Sequence, residues 1–212
     1  QDKRTTKRNA TEARFKACGL GAIAIGVVAL VILVTSILGN GLSAFKQTYI
    51  RLSIELPEPK LDKSGVCDLE VMKKVTTIGY AALLKKAMVD AVENNGITVD
   101  GLKLKDVDDL ISKEAPATLR NLVLGNPALV GTTITLDVLA SGRIDGYFKD
   151  RVNLQSAARD SKITPQQLIL ADALKAKGLL EIRLNPDFIT APDASDQRPE
   201  AAGLGVAILG SA

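Results

Sequence analysis

Residues 17–45 read ACGLGAIAIGVVALVILVTSILGNGLSAF, twenty-nine consecutive positions without a charged side chain. As a helix, Ala17–Leu38 rises about 33 Å at about 1.5 Å per residue, enough to cover the roughly 30 Å hydrocarbon layer with a little tilt. Lipid offers the backbone no hydrogen-bond partner, so the segment must be helical although Val27, Val28, Val31 and Ile32 are β-branched. A transmembrane helix over 17–40 is the expectation from which the rest of the reading follows.

On the N-terminal side, Lys3, Arg4, Lys7, Arg8, Arg14 and Lys16 stand against Asp2 and Glu12. The other flank offers only Lys46 and Arg51 before Glu55 and Glu58. The positive-inside rule then predicts that residues 1–16 are a cytoplasmic tail. A cleaved secretory signal also begins basic and turns apolar, but its apolar region is normally about 7–15 residues and ends in an A-x-A-like site. This run is longer, and Ser43-Ala44 matches such a site poorly. Within the helix Cys18, Ala22 and Gly26 recur every four residues, a stripe of small side chains that another helix can approach closely.

The tail holds six bases and two acids, and the remaining chain 21 bases and 22 acids, so the overall charge of +3 reports topology. Aromatic residues make up 3% of the chain, and Lys73, Lys74, Lys85 and Lys86 are interleaved with acids, which argues against a nucleic-acid surface. Residues 41–198 are long enough for one domain with its own core, expected outside the cytoplasm. Cys18 falls in the apolar run and Cys67 stands alone beyond it, so packing rather than a disulfide must hold that domain. The close, AAGLGVAILGSA over 201–212, is again uncharged. We read 199–212 as the start of a second, truncated membrane helix.

Between the two apolar runs the pattern is mixed. Ile50, Leu52, Ile54 and Leu56 alternate with polar residues, a half-buried strand over 49–56 that Pro57 and Pro59 end. Residues 68–94 read as helix, but Val71, Val75 and Ile78 mark one face and Leu84, Met88 and Ala91 another, so two helices or a kink near Gly79 are expected. Asp100-Gly101 between Ile97–Val99 and Leu102–Leu104 suits a type I′ hairpin. Asp106 is placed to cap a helix through Leu110 and Ile111. Further elements are a helix over 115–124, broken by Gly125-Asn126-Pro127, a strand over 130–138 and a helical turn over 144–148. The clearest helix starts with Thr164 as N-cap, Pro165 at the first position and Gln167 three residues after the cap, and ends at Gly178. A strand over 179–184 follows. With no βαβ or internal repeat, the fold class is α+β.

No histidine occurs in 212 residues, which removes Ser-His-Asp and Cys-His systems and the usual zinc ligand sets. Asp106, Asp108, Asp109 and Glu114 resemble a calcium loop starting at Asp106, but Ile111 stands where glycine is needed and Ala117 where glutamate is. Helix capping and solvation explain these acids better. Gly19-x-Gly21 and Gly203-x-Gly205 lie in or beside apolar runs and do not continue as dinucleotide fingerprints, so they read as helix-packing glycines. Arg143 and Arg183 are candidate partner contacts, with simple solvation the alternative. No strained nucleophile turn marks a Ser/Lys pair. The expectation is a protein that is not an enzyme, with no catalytic residue, cofactor or metal.

Three stretches together resemble a known family. They are Ala44-Phe-Lys-Gln-Thr-Tyr-Ile-Arg-Leu52, Leu174-Lys-Ala-Lys-Gly178 leading to Arg183-Leu-Asn185 and Phe188, and Pro199-Glu-Ala-Ala-Gly203 with Ala207-Ile-Leu-Gly-Ser211. Their order relative to the two apolar runs is similar to the N-terminal extension of PstA-type permease subunits of bacterial phosphate ABC importers. The likeness extends over essentially the whole chain; Leu184 and Ile189 depart from it, standing where aromatics are expected. The resemblance implies a bacterial inner-membrane protein with residues 46–196 in the periplasm. It also implies three partners: a second permease subunit, a cytoplasmic ATPase dimer and a periplasmic phosphate-binding protein. It assigns no phosphate-contacting residue here. The rival reading is a membrane-anchored sensor or binding domain.

Overall fold

The computed structural model describes residues 3–62, 65, 68–193 and 199–210. Cys67 lies outside them. The chain forms two compact units, Gln1–Ala44 and Phe45–Ala212.

The first unit is one helix, α1 (Lys3–Leu42). It is longer than the 17–40 span expected, because the Lys-, Arg- and Ala-rich tail favours helix and continues the same hydrogen-bond ladder, aided by the Glu12–Lys16 pair at 2.8 Å. Its stretch Arg14–Gly39 is long and apolar enough to cross a membrane, and none of it is buried. A signal segment near the N-terminus can meet the same measure of length and apolarity. Cys18, Ala22 and Gly26 fall on one face by helical spacing, all exposed.

The second unit is α+β. Among the described residues its sheet has three antiparallel strands in the order β2-β1-β3, namely β1 (Lys46–Glu55), β2 (Thr133–Leu139) and β3 (Leu180–Leu184). Ile50 pairs with Val138 on one side and Leu180 on the other. The alternation read from the sequence sets the sheet's faces: Ile50, Leu52, Ile54 and Leu56 are fully buried, whereas Arg51, Ser53 and Glu55 are exposed. Each buried aliphatic chain contributes about 1.5–3 kcal/mol of transfer free energy.

Helices complete the core. After the short turns α2 (Glu58–Leu61) and α3 (Leu69–Met72) comes α4 (Thr77–Asn94), which buries Leu83, Leu84, Ala87 and Met88 and packs on β1. The expected break occurs at residues 73–76. It is held by Arg120 of α5 (Ala115–Gly125), which donates to the carbonyls of Lys73 at 2.8 Å and Val75 at 3.1 Å. Next come α6 (Gly142–Phe148), the capped turn α7 (Leu154–Ala157) and α8 (Pro165–Ala176), whose Leu168, Leu170, Ala171 and Leu174 complete the cluster. The capping box at Thr164 is complete: the Gln167 amide donates to the Thr164 hydroxyl at 3.3 Å, and the Thr164 amide to Gln167 Oε1 at 2.8 Å.

Two expectations are corrected. Residues 97–104 are not a hairpin. Ile97 is buried, and Val99 and Leu102 lie against the core, so these short runs pack as loop. Only Gly101 of the central pair has positive φ, at 77°, where a type I′ turn needs both. Asp106 does not cap the next helix: it lies inside a 3₁₀ stretch, Leu104–Leu110, that begins after Lys103. The last described element, α9 (Gly205–Gly210), is a six-residue helix with no buried side chain.

Candidate functional site

Where the chain enters the second unit, residues 45–47 meet residues 185–205. The Asn185 amide donates to the Phe45 carbonyl at 2.7 Å, and the rings of Phe45 and Phe188 meet edge to face at 5.2 Å. The Asn185 side-chain amide donates to Gln47 Oε1 at 2.7 Å, and Gln47 Nε2 in turn donates to the Glu200 carbonyl. Glu200 Oε1 accepts from the Ser112 hydroxyl at 2.5 Å. Gln47 and Glu200 are only 5% and 7% exposed, so these polar groups satisfy one another away from water.

The glycines 203 and 205 belong to the same clamp, which corrects their reading as helix-packing residues. The Leu204 amide donates to the Phe188 carbonyl at 2.8 Å, Gly203 to Pro192 at 2.9 Å and Gly205 to Ala191 at 3.0 Å. A Cβ at Gly203 would collide with the Ala191 carbonyl, and one at Gly205 would lie 2.5 Å from that of Thr190. Backbone lies on backbone here, and only glycine allows that approach.

A second knot ties α6 to the sheet. Asp145 Oδ1 accepts from the Thr48 amide at 3.0 Å and its hydroxyl at 3.1 Å, while Oδ2 meets Lys149 Nζ at 2.5 Å. Both charged chains are about nine-tenths buried, so the paired state is what makes their burial tolerable.

Beside the clamp lies a cleft of about 530 Å³, with Glu200 and Ser112 in its wall. Ala81 and Leu84 of α4 and Pro116 of α5 give it apolar surface. Its charged residues are three acids, Asp108, Asp109 and Glu200, and three bases, Lys113, Arg143 and Lys162. Asp108 is bound to Lys85 at 2.8 Å, a contact that raises the lysine's pKa. Arg143 is bound to Asp160 at 2.9 Å, and Asp109 accepts from Gln167 Nε2 at 3.1 Å. Ser141 occupies the N-cap position of α6 without capping it, and its buried hydroxyl has no partner among the described residues.

Several residues singled out from sequence have other roles. The acids Asp108 and Asp109 turn to separate partners, and no group of three or more His, Cys, Asp or Glu converges among the described residues. Arg183 makes an internal pair, with Asp137 at 2.8 Å, and lies over the Tyr49 ring at 4.0 Å. Arg51 binds the other oxygen of Asp137 at 2.9 Å, and that hydrogen bond is the leading cause of the carboxyl's lowered pKa. A Cβ at Gly19, Gly21 or Gly26 would touch nothing within 4 Å. Sequence reasoning missed Gln47, Ser112 and Glu200, which are polar residues far apart in the chain. The one available signal was Gln47, uncharged beside Lys46 at the start of an otherwise regular strand.

No curated protein and no solved structure matches the chain. The family model described as a domain of unknown function (DUF3333) matches residues 2–158, from the basic tail through α1 and most of the second unit. The chain therefore belongs to the DUF3333 family.

Proposed function

We propose that the chain is the N-terminal part of the permease subunit of an ATP-driven inorganic phosphate importer, its second unit serving outside the cytoplasm as a structural or docking module. The observation that carries this reading is the clamp. Phe45 and Gln47 at the entry are bonded to Asn185 and Glu200 near the exit, as an insert between two neighbouring membrane helices requires. The basic flank of α1 supports a cytoplasmic N-terminus. The uncharged segment after Glu200 supports a return to the bilayer, and the resemblance in sequence supplies the transport class. On this reading the partners are a second permease subunit, a cytoplasmic ATPase dimer and a periplasmic phosphate-binding protein, and the chain itself catalyses nothing.

The test is purification of the tagged protein from its own membranes, paired with phosphate uptake in cells lacking it. Co-purification of a second permease subunit and an ATPase, with loss of high-affinity uptake, is the expected result. Uptake unchanged by the deletion overturns the reading. A membrane-anchored sensor is the second reading, favoured by one observation, the cleft beside Glu200.

A further inference from the structure

The charges of the cleft sort themselves by how they are satisfied. Asp108 and Arg143 already have partners of opposite charge in Lys85 and Asp160. Asp109 and Glu200 accept their hydrogen bonds from neutral groups, the Gln167 amide and the Ser112 hydroxyl, although Lys85 also attracts Asp109. Lys113 and Lys162 have no ion pair among the described residues. Around one cavity there stand two lysines without an ion pair and two acids whose hydrogen bonds come from neutral groups.

This pattern selects by charge. A simple oxyanion would gain the lysines but also meet the carboxylates of Asp109 and Glu200. A metal ion would need converging carboxylates, and the described residues offer none. A molecule bearing both signs meets both halves of the lining, while Ala81, Leu84 and Pro116 receive an apolar portion. The volume of about 530 Å³ lies within the roughly 300–1,000 Å³ of small-molecule sites.

We propose that the cleft binds a small zwitterion of the amino-acid class, free or as a short peptide. Lys113 and Lys162 take its carboxylate, and Asp109 and Glu200 balance its ammonium. The site does not depend on the transport reading, since an importer module and an anchored sensor can each carry it.

The experiment is calorimetric titration of the full chain in detergent with each of the twenty amino acids, dialanine and inorganic phosphate. At least one zwitterion should bind with a Kd of about 1 mM or tighter, and comparison of free amino acids with dialanine identifies the source. The exposed pair Lys113→Ala/Lys162→Ala should weaken binding at least about tenfold. The carboxamide of the bound amino acid should fail on the unaltered protein, a control that needs no variant to fold. Phosphate binding alone, no zwitterion binding, or equal affinity for acid and amide would overturn the proposal.

Discussion

Tyr80 is fully buried, yet its hydroxyl has no partner among the described residues, and burial pushes its pKa up. An unmet buried donor costs about 1–3 kcal/mol, so Tyr80→Phe should leave thermal stability unchanged or raise it. A clear loss would reveal a partner for the hydroxyl. Glu200 has the opposite status. Glu200→Ala strips Ser112 of its acceptor and should cost about 1–3 kcal/mol in unfolding, whereas Glu200→Gln keeps an acceptor oxygen and should cost less. Asp137, between Arg51 and Arg183, has a folded-state pKa below its unfolded one. Its stabilising contribution is therefore complete above the ordinary carboxylate range and fades as pH falls through the folded value. Asp137→Asn should flatten the acid limb of the stability–pH profile; an unaltered limb would assign it to other carboxylates.

At the level of single elements, α8 shows what sequence can determine. Its cap, first proline and closing Gly178 are local signals, and Gly178 takes φ 72° as a C-terminal stop requires. Thr164→Ala should cost about 1 kcal/mol, measured by thermal unfolding, because the first turn loses its side-chain acceptor. β1 was legible for a related reason, since burial of alternate residues imposes period two regardless of neighbours. Residues 97–104 were not, because Ile97, Val99 and Leu102 pack against the core instead of against one another and Asp100 does not take the positive φ a type I′ turn needs. The clamp was illegible throughout. Gln47 and Glu200 are 153 residues apart, and nothing in either's neighbours announces the other. Gly203→Ala should open this contact, seen as faster amide exchange at Leu204 and Gly205, while the amides of β1 stay protected.

For the whole molecule, α1 and the second unit dispose of their apolar residues differently. In α1, Leu30, Ile32 and Leu33 are all more than half exposed. The second unit instead buries its aliphatic residues and turns Arg51, Glu55 and Lys86 outward. Length and composition made that division readable from the sequence alone. The clamp became visible only once the fold brought residues 45–47 beside residues 185–205. The measurement that bears most directly on the account is a topology reporter fused after Asp196 and read in intact cells. The account predicts activity outside the cytoplasm with the protein in the membrane fraction; reporter activity in the cytoplasm would contradict it.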